Sequence, residues 1–392
     1  MQHLSIDIET YSSVELRTGG LYKYVQSPDF QILLLAYAQD GGPATVIDLT
    51  ASEDAEPVKR LLLAPDVIKH AYNAPFEWYC LSKWLGLDPQ QANAWLPQWR
   101  CTMLHGLYCG YTAGLAATGA ALGLPDDKQK LRTGSALIRT FCVPCRPTKA
   151  NGGRTRTLPH HEPEKWALFK QYCAQDVVTE MAIEQKLAAW PVPDDVQRQW
   201  ELDQIINARG VRVDRQLIDG ALYCSEVTTQ RLIQEADAIS GLANPNSVAQ
   251  LTQWLQDETG QAVDNLRKDT VQGLLAQGID SAAATRMLEI RQELSKTSVK
   301  KYQAMEAATG DNDRVRGLLQ FYGANRTGRW AGRLVQVQNL PRNYLDTLDL
   351  ARGMVRDHKP ELLRWVYGNV PDTLSQLIRT AFVPSQGNRF IV

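Results

Sequence analysis

His3-Leu4-Ser5-Ile6-Asp7-Ile8-Glu9, near the start of the chain, alternates apolar Leu4, Ile6 and Ile8 with polar positions. That period of two is the signature of a β-strand, whose successive side chains point to opposite faces. Asp7 and Glu9 therefore share one face. Two carboxylates two residues apart repel each other unless a positive charge lies between them, and hard oxygen ligands of this kind suit Mg²⁺ or Mn²⁺. An Asp-x-Glu pair is common, and alone it is ordinarily a solvated strand end. Its meaning rests on what accompanies it.

Two further acidic elements follow. Val67-Ile68-Lys69-His70-Ala71 reads as a short strand, Asn73 as an N-cap and Pro75 as a first-turn residue, with helical apolar spacing from Phe76 to Leu85. Glu77 then sits in the first turn, where an acid by itself complements the helix dipole by ~0.3–1 kcal/mol. A helix from about Pro163 to Ala189 carries Trp166, Phe169, Cys173 and Val177 as an apolar stripe, with Tyr172 and Asp176 four apart on a neighbouring face. An ionised Asp at the edge of a buried stripe is costly unless paired or metal-bound, and a tyrosine one turn earlier can position a water. Together the three elements read as a two-metal phosphodiesterase site, with the ions ~4 Å apart.

In order, Asp7-x-Glu9, Asn73-x-x-Phe76-Glu77 and Tyr172-x-x-x-Asp176 resemble the three exonuclease motifs of the DEDD superfamily, tyrosine subclass, the 3′→5′ proofreading domain of family A DNA polymerases. The resemblance implies an RNase H-like domain in which Asp7 bridges two Mg²⁺ or Mn²⁺ ions, Glu9 and Asp176 hold the tighter one, Glu77 serves the second through water, and Tyr172 orients the attacking water. Most family members carry Asp where this chain has Glu77.

The 392 residues are enough for two or three domains; 44% are hydrophobic and 22% charged, as in an ordinary soluble protein. A formal net charge of -1 excludes a global positive field, so contact with nucleic acid must come from local basic patches. Seven scattered cysteines argue against a disulfide framework and for a reducing cytoplasm. The apolar run Gln31 to Ala38 is too short to span a bilayer, and the N-terminus lacks the order of a signal peptide. A monomer without membrane contact is expected.

Residues 1–190 alternate strand-like segments (Leu4–Ile8, Ile32–Ala38, Thr45–Leu49, Val67–Ala71) with helix-like ones (Pro57–Leu63, Glu77–Leu85, Leu115–Leu122, Pro163–Ala189), an α/β layer pattern with a mixed sheet. Pro191-Val192-Pro193-Asp194 reads as a hinge, after which the chain turns helical. Val196 to Arg209 ends at Gly210, Asp214 caps the next helix, Asn244-Pro245-Asn246-Ser247 caps another, and a long segment runs from about Ser281 to Ala308.

Glu201-Leu202-Asp203 through Arg209-Gly210-Val211-Arg212-Val213-Asp214, then Asn244-Pro245-Asn246-Ser247 and Lys296-Thr297-Ser298, resemble the thumb of family A polymerases. Arg326-Thr327-Gly328-Arg329 and Gln338-Asn339-Leu340-Pro341 are similar to the segment leading into the palm. On that resemblance residues 1–190 are the exonuclease domain, 191–315 a mainly helical thumb and 316–392 the start of the palm. The partner it implies is DNA, as primer-template and single-stranded 3′ ends, with contacts from Thr10, Asn73, Lys296, Lys300, Arg326, Arg329, Gln338 and Asn339. The chain stops at Phe390-Ile391-Val392, before either polymerase carboxylate, so proofreading without polymerisation is expected of it. The phage or prophage branch of the family begins in the same way, directly at the exonuclease. The rivals are a stand-alone DEDD exonuclease of DNA or RNA and a DNA-binding module whose site Glu77 has impaired.

Cys142-Val143-Pro144-Cys145 with His160-His161 supplies four candidate zinc ligands at an irregular spacing. The favoured alternative is a basic hairpin of Arg146, Lys149, Arg154 and Arg156 around Asn151-Gly152-Gly153, beside the DNA path. Trp78, Trp84, Trp95, Trp99, Trp190 and Trp200 are expected mostly in cores, and the six histidines show no pairing pattern.

Overall fold

The computed structural model of the protein describes residues 2–51, 53–112, 114–131, 134–242, 244–310, 312–324 and 327–390, with the backbone alone at Ser298. Two compact units form. One comprises Met1–Gly210, Ala308–Gly310 and Val315–Val337; the other comprises Val211–Ala307, Asp311–Arg314 and Gln338–Val392.

The first unit is built on one mixed five-stranded sheet, ordered β3-β2-β1-β4-β5. Its strands are β1 (Gln2–Tyr11), β2 (Gln31–Gln39), β3 (Thr45–Asp48), β4 (Val67–Ala71) and β5 (Trp99–Cys101). β1 runs antiparallel to β2 and parallel to β4, β2 antiparallel to β3, and β4 parallel to β5. The helices are α1 (Leu16–Gln26), α2 (Glu56–Leu63), α3 (Ala74–Trp84), α4 (Pro89–Trp95), α5 (Thr102–Tyr108), α6 (Leu115–Ala121), α7 (Gly134–Phe141), α8 (Pro163–Leu187) and α9 (Asp194–Arg209). The mixed α/β architecture read from the sequence is present, with strand positions close to those expected. β5 is too short to show a period, and α1 is kinked at Gly20, whose φ of 76° breaks the helical spacing.

Because β1 is the central strand, both of its faces are covered. Leu4, Ile6 and Ile8 pack with Val58 and Leu62 of α2 and Trp78 and Leu81 of α3. On the other face Tyr11 joins Leu137 and Phe141 of α7 and Trp166, Phe169, Cys173 and Val177 of α8. The alternation in β1 thus sorts residues between two buried layers. Of its polar row, Ser5 and Glu9 are buried and Asp7 half-buried beneath α8. β2 reads as a continuous apolar run for the same reason. A register shift between Glu9 and Thr10 marks a bulge, a device that re-aims side chains at the end of a ladder.

The division into units does not follow the expected boundaries at 190 and 315. α9 belongs to the first unit, as does a hairpin of Leu319–Ala324 and Arg329–Gly332. Buried polar groups tie the two: Asn207 donates to Leu319 O at 2.9 Å, while Asp203 accepts from Phe321 N at 3.1 Å and from Trp330 Nε1 at 2.8 Å.

The second unit is helical. Arg215–Ser240, Val248–Thr259, Lys268–Gln277 and Ala282–Leu294 enclose a core of Leu232, Leu251, Leu255, Met287 and Leu288. Asp214 and Ser247 cap as expected, accepting from Leu217 N at 3.1 Å and Gln250 N at 3.4 Å. The segment expected from 281 to 308 is broken: its first helix ends at Leu294, a 3₁₀ turn covers Thr297–Val299, and a new helix starts at Lys300.

Candidate active site

The candidate residues come from three elements of the first unit. Asp7 and Glu9 stand on the α8 side of β1, Glu77 in the first turn of α3, and Tyr172 and Asp176 one turn apart on α8. A cleft of about 690 Å³ is lined by Asp7, Glu9, Thr10, Asn73, Tyr172 and Asp176, with Phe76, Leu16 and Ile138 as apolar wall. Glu77 does not line it; it is 6% exposed, and its carboxylate interacts with that of Asp7.

Burial and mutual repulsion dominate the electrostatics. Burial pushes the Asp7 carboxyl well above its ordinary range, the Asp176 charge pushes it further, and the Lys130 ammonium pulls it back. Glu9 is raised by burial and then by Asp7 and Asp176, with the same lysine opposing. Burial and the Asp7 charge raise Glu77, and burial raises Asp176 against the pull of Lys130. Burial, followed by the Asp176 charge, pushes the Tyr172 phenol far above its usual value.

Sequence reasoning missed the cation at the centre of this arrangement. Lys130 Nζ donates to Asp176 Oδ2 and lies 4.7 Å from the Tyr172 ring centroid. Two thiols also face the acids: Cys173 Sγ donates to Asp7 Oδ2 at 3.5 Å and Cys142 Sγ to Glu9 Oε2 at 3.8 Å. Gly134, at the start of α7, lies against the Tyr172 ring so closely that a Cβ there would come within 2.0 Å of Cε2.

Among the described residues, no three of Asp7, Glu9, Glu77 and Asp176 bring ligand atoms within 4.8 Å of one another; the group that does is His70, Glu180 and Glu184. One lysine cannot neutralise four acids. Asp176 Oδ1 and Glu77 Oε2 are buried with no hydrogen-bond partner. An all-oxygen acidic set with orphaned acceptors fits hard divalent cations.

Glu180 and Glu184 continue the face of α8 at successive i+4 steps from Asp176, a ladder legible in the sequence. The partnership of His70 with them comes from the tertiary structure. The histidines do pair across the fold: His3 Nδ1 lies 2.9 Å from His70 Nε2, and His105 Nδ1 lies 2.9 Å from Glu184 Oε2.

Cys142, Cys145, His160 and His161 form no metal-sized cluster. Cys142 faces Glu9, Cys145 Sγ donates to Arg154 O at 3.3 Å, and His161 Nδ1 accepts from Leu158 N at 2.9 Å. Around Asn151-Gly152-Gly153 there is a loop without a strand ladder, closed by Gly153 N to Thr148 O at 2.9 Å. Its Arg156 is committed to Gln31 at 2.8 Å and to the Tyr11 ring at 3.7 Å.

The residues expected to contact DNA fall in both units. Thr10 is buried against the Tyr24 hydroxyl at 2.8 Å, and Asn73 is exposed at the cleft but its side chain does not cap α3. Arg329 is exposed on the hairpin of the first unit. In the second unit Lys296 pairs with Asp372 at 2.6 Å, and Lys300, Gln338 and Asn339 are exposed. Arg326 lies outside the described residues. Trp78, Trp95, Trp99 and Trp200 are core residues, whereas Trp190 is exposed.

A protein from Bacillus phage SP02 named DNA polymerase is 50% identical to this chain over 394 residues, covering 100% of the chain and 59% of the relative. The chain therefore spans about three fifths of the curated relative's length. Among solved structures, the POL domain of Pol1 from M. smegmatis, in complex with DNA primer-template and dNTP, matches with a TM-score of 0.46 and 16% identity over 90% of this chain and 53% of that one. No family model matches the chain. Among the described residues, no helix is long and apolar enough to cross a membrane.

Proposed function

We propose that this chain is part of a family A DNA polymerase and that the Asp7 cleft is its 3′→5′ proofreading exonuclease site, hydrolysing the 3′-terminal phosphodiester of DNA to release deoxynucleoside monophosphates. The observation that carries the reading is that Asp7 and Glu9 of one motif and Tyr172 and Asp176 of another line a single cleft, with Glu77 of the third buried and raised by the Asp7 charge. The half-identical phage relative named DNA polymerase supports the polymerase part of that reading. Residues 191–315 would then act as thumb and 316–392 as the start of the palm.

Asp7, Glu9, Asp176 and Glu77 would hold two divalent ions, Mg²⁺ or Mn²⁺. When bound, such ions supply charge stabilisation for the leaving oxygen and an activated water. The chain's own groups do the rest. The cleft is large enough for a terminal nucleotide. Phe76, Leu16 and Ile138 give its base and sugar an apolar wall, while Asn73 at the rim offers an amide to hydrogen-bond it. Tyr172 keeps its proton, so it acts as a hydrogen-bond donor on the cleft wall beside the acids. Attack of water oxygen on the terminal phosphorus breaks the bond to the penultimate 3′ oxygen, which leaves as a hydroxyl after protonation.

The test is divalent-metal-dependent release of mononucleotides from a 3′-labelled oligonucleotide by the purified chain. Activity abolished by Asp7→Ala with an unchanged melting temperature supports the reading; activity untouched by that substitution overturns it.

A further inference from the structure

We infer that His70, Glu180 and Glu184 form a second metal site, separate from the Asp7 cleft and suited to a borderline first-row divalent ion of the Zn²⁺ class. One ligand atom from each of the three lies within 4.8 Å of the other two. In tetrahedral zinc sites, with bonds near 2.0–2.1 Å, ligand atoms stand about 3.3 Å apart. Side-chain adjustments on the order of 1.5 Å therefore close the set.

Two side chains more than nine-tenths buried meet here, each with one polar atom left unpaired. His70 is 8% exposed, and its Nδ1 has no hydrogen-bond partner; Glu180 is 2% exposed, and its Oε2 has none either. Buried polar atoms are nearly always paired, so two orphans in one place point to a missing partner.

The remaining atoms of the three ligands are already held, as the supports of metal ligands are. His70 Nε2 is 2.9 Å from His3 Nδ1. With the proton on His70 Nε2, its Nδ1 presents a lone pair. Glu180 Oε1 accepts from the Thr102 hydroxyl. Glu184 Oε2 is 2.9 Å from His105 Nδ1, whose other nitrogen is 2.8 Å from Trp190 O. Each carboxylate thus keeps one oxygen for an ion. His3, His70 and Glu184 also line a cavity of about 800 Å³ with Ser5 and Lys128, which provides a route in and room for water at the open coordination positions.

The donor set separates this site from its neighbour. Oxygen-only acids suit Mg²⁺ or Mn²⁺, whereas one imidazole with two carboxylates favours zinc over magnesium. Asp176 and Glu184 are eight residues apart on α8, about 12 Å along its axis, and they line different cavities.

The experiment is Zn²⁺ titration of the chelator-stripped full chain in millimolar Mg²⁺, against a chromophoric competitor, with Co²⁺ substitution as a spectroscopic probe of imidazole ligation. One equivalent of Zn²⁺ should bind in the wild type and in Asp7→Asn. Its Kd should rise at least tenfold in Glu184→Gln, in His70→Asn and, through lost orientation of the ring, in the exposed His3→Ala. Circular dichroism melts report whether each variant folds; if His70→Asn does not, Glu184→Gln and His3→Ala carry the test. Absence of Zn²⁺ binding, loss of binding in Asp7→Asn alone, or unchanged affinity in Glu184→Gln would overturn the site.

Discussion

The carboxylates of Asp176, Glu180 and Glu184 ride one face of one helix, yet the two ends of that ladder meet different partners. At the Asp176 end the counter-charge is Lys130, an ammonium on a flexible stem that salt-bridges one acid and weakly offsets Asp7 and Glu9. At the Glu184 end the partners are imidazoles on β4 and α5, rings held from both sides by hydrogen bonds or by the core. A mobile point charge can yield its place to ions that arrive with a substrate. Fixed rings instead preorganise one position. On the two readings proposed above, one helix face would thus carry an exchangeable site at one end and a structural one at the other.

The largest effect that would break this contrast is expected from Asp7→Ala. It should lower mononucleotide release on the order of 1,000-fold, the rate equivalent of about 4 kcal/mol of lost charge stabilisation, while Zn²⁺ binding at His70 persists. Loss of both would show one shared site. Gly134→Ala comes next. The new methyl meets the Tyr172 ring, so a drop in stability of about 1–3 kcal/mol and slower nuclease turnover are expected, read by denaturant unfolding and by the oligonucleotide assay.

The pH response of the metal-free protein sharpens the comparison further. Burial lifts Glu180 to about 7 from an ordinary 4.5. Between those values the folded chain binds more protons than the unfolded one, so its stability is full below about 4.5 and falls as pH rises to 7. Glu180 alone contributes a loss on the order of 3 kcal/mol. Asp7, Glu9, Glu77 and Asp176, all raised as well, act in the same direction. Chemical denaturation with chelator at pH 5 and pH 7 checks this, and a flat profile would mean the acids are compensated otherwise. Lys130→Met removes a competing cation, so Mn²⁺ affinity at the Asp7 cleft should rise severalfold with Zn²⁺ affinity at His70 unchanged, as followed by Mn²⁺ paramagnetic resonance. The smallest effect belongs to Glu77→Asp, which should keep or modestly raise nuclease activity if Glu77 holds its ion through water.

Much of the first cluster is legible in the chain because local periods encode it. Alternation along β1 puts Asp7 and Glu9 on one face, and the i,i+4 step puts Tyr172 beside Asp176. Asn73 and Pro75 mark the start of α3, although the Asn73 side chain does not cap it. The same logic does not reach Lys130, which belongs to an irregular segment just before α7 with no period to announce it. Nor does it reach His70. Its partners are His3, 67 residues away, and two glutamates more than 100 residues downstream, brought together by the β1–β4 pairing and the docking of α8.

By itself, then, the sequence determines which side chains share a strand face or a helix face, because φ/ψ geometry repeats every 2 or 3.6 residues and each repeat is local. It thereby specifies the acids of the Asp7 cleft and the mixed α/β plan of the sheet. The tertiary structure alone decides which faces meet. Closing α8 over the polar row of β1 turns what alternation alone would leave a half-solvated strand face into a largely buried acidic layer. That burial raises the carboxylates, draws in Lys130 at one end, and leaves His70 facing Glu180 and Glu184 at the other.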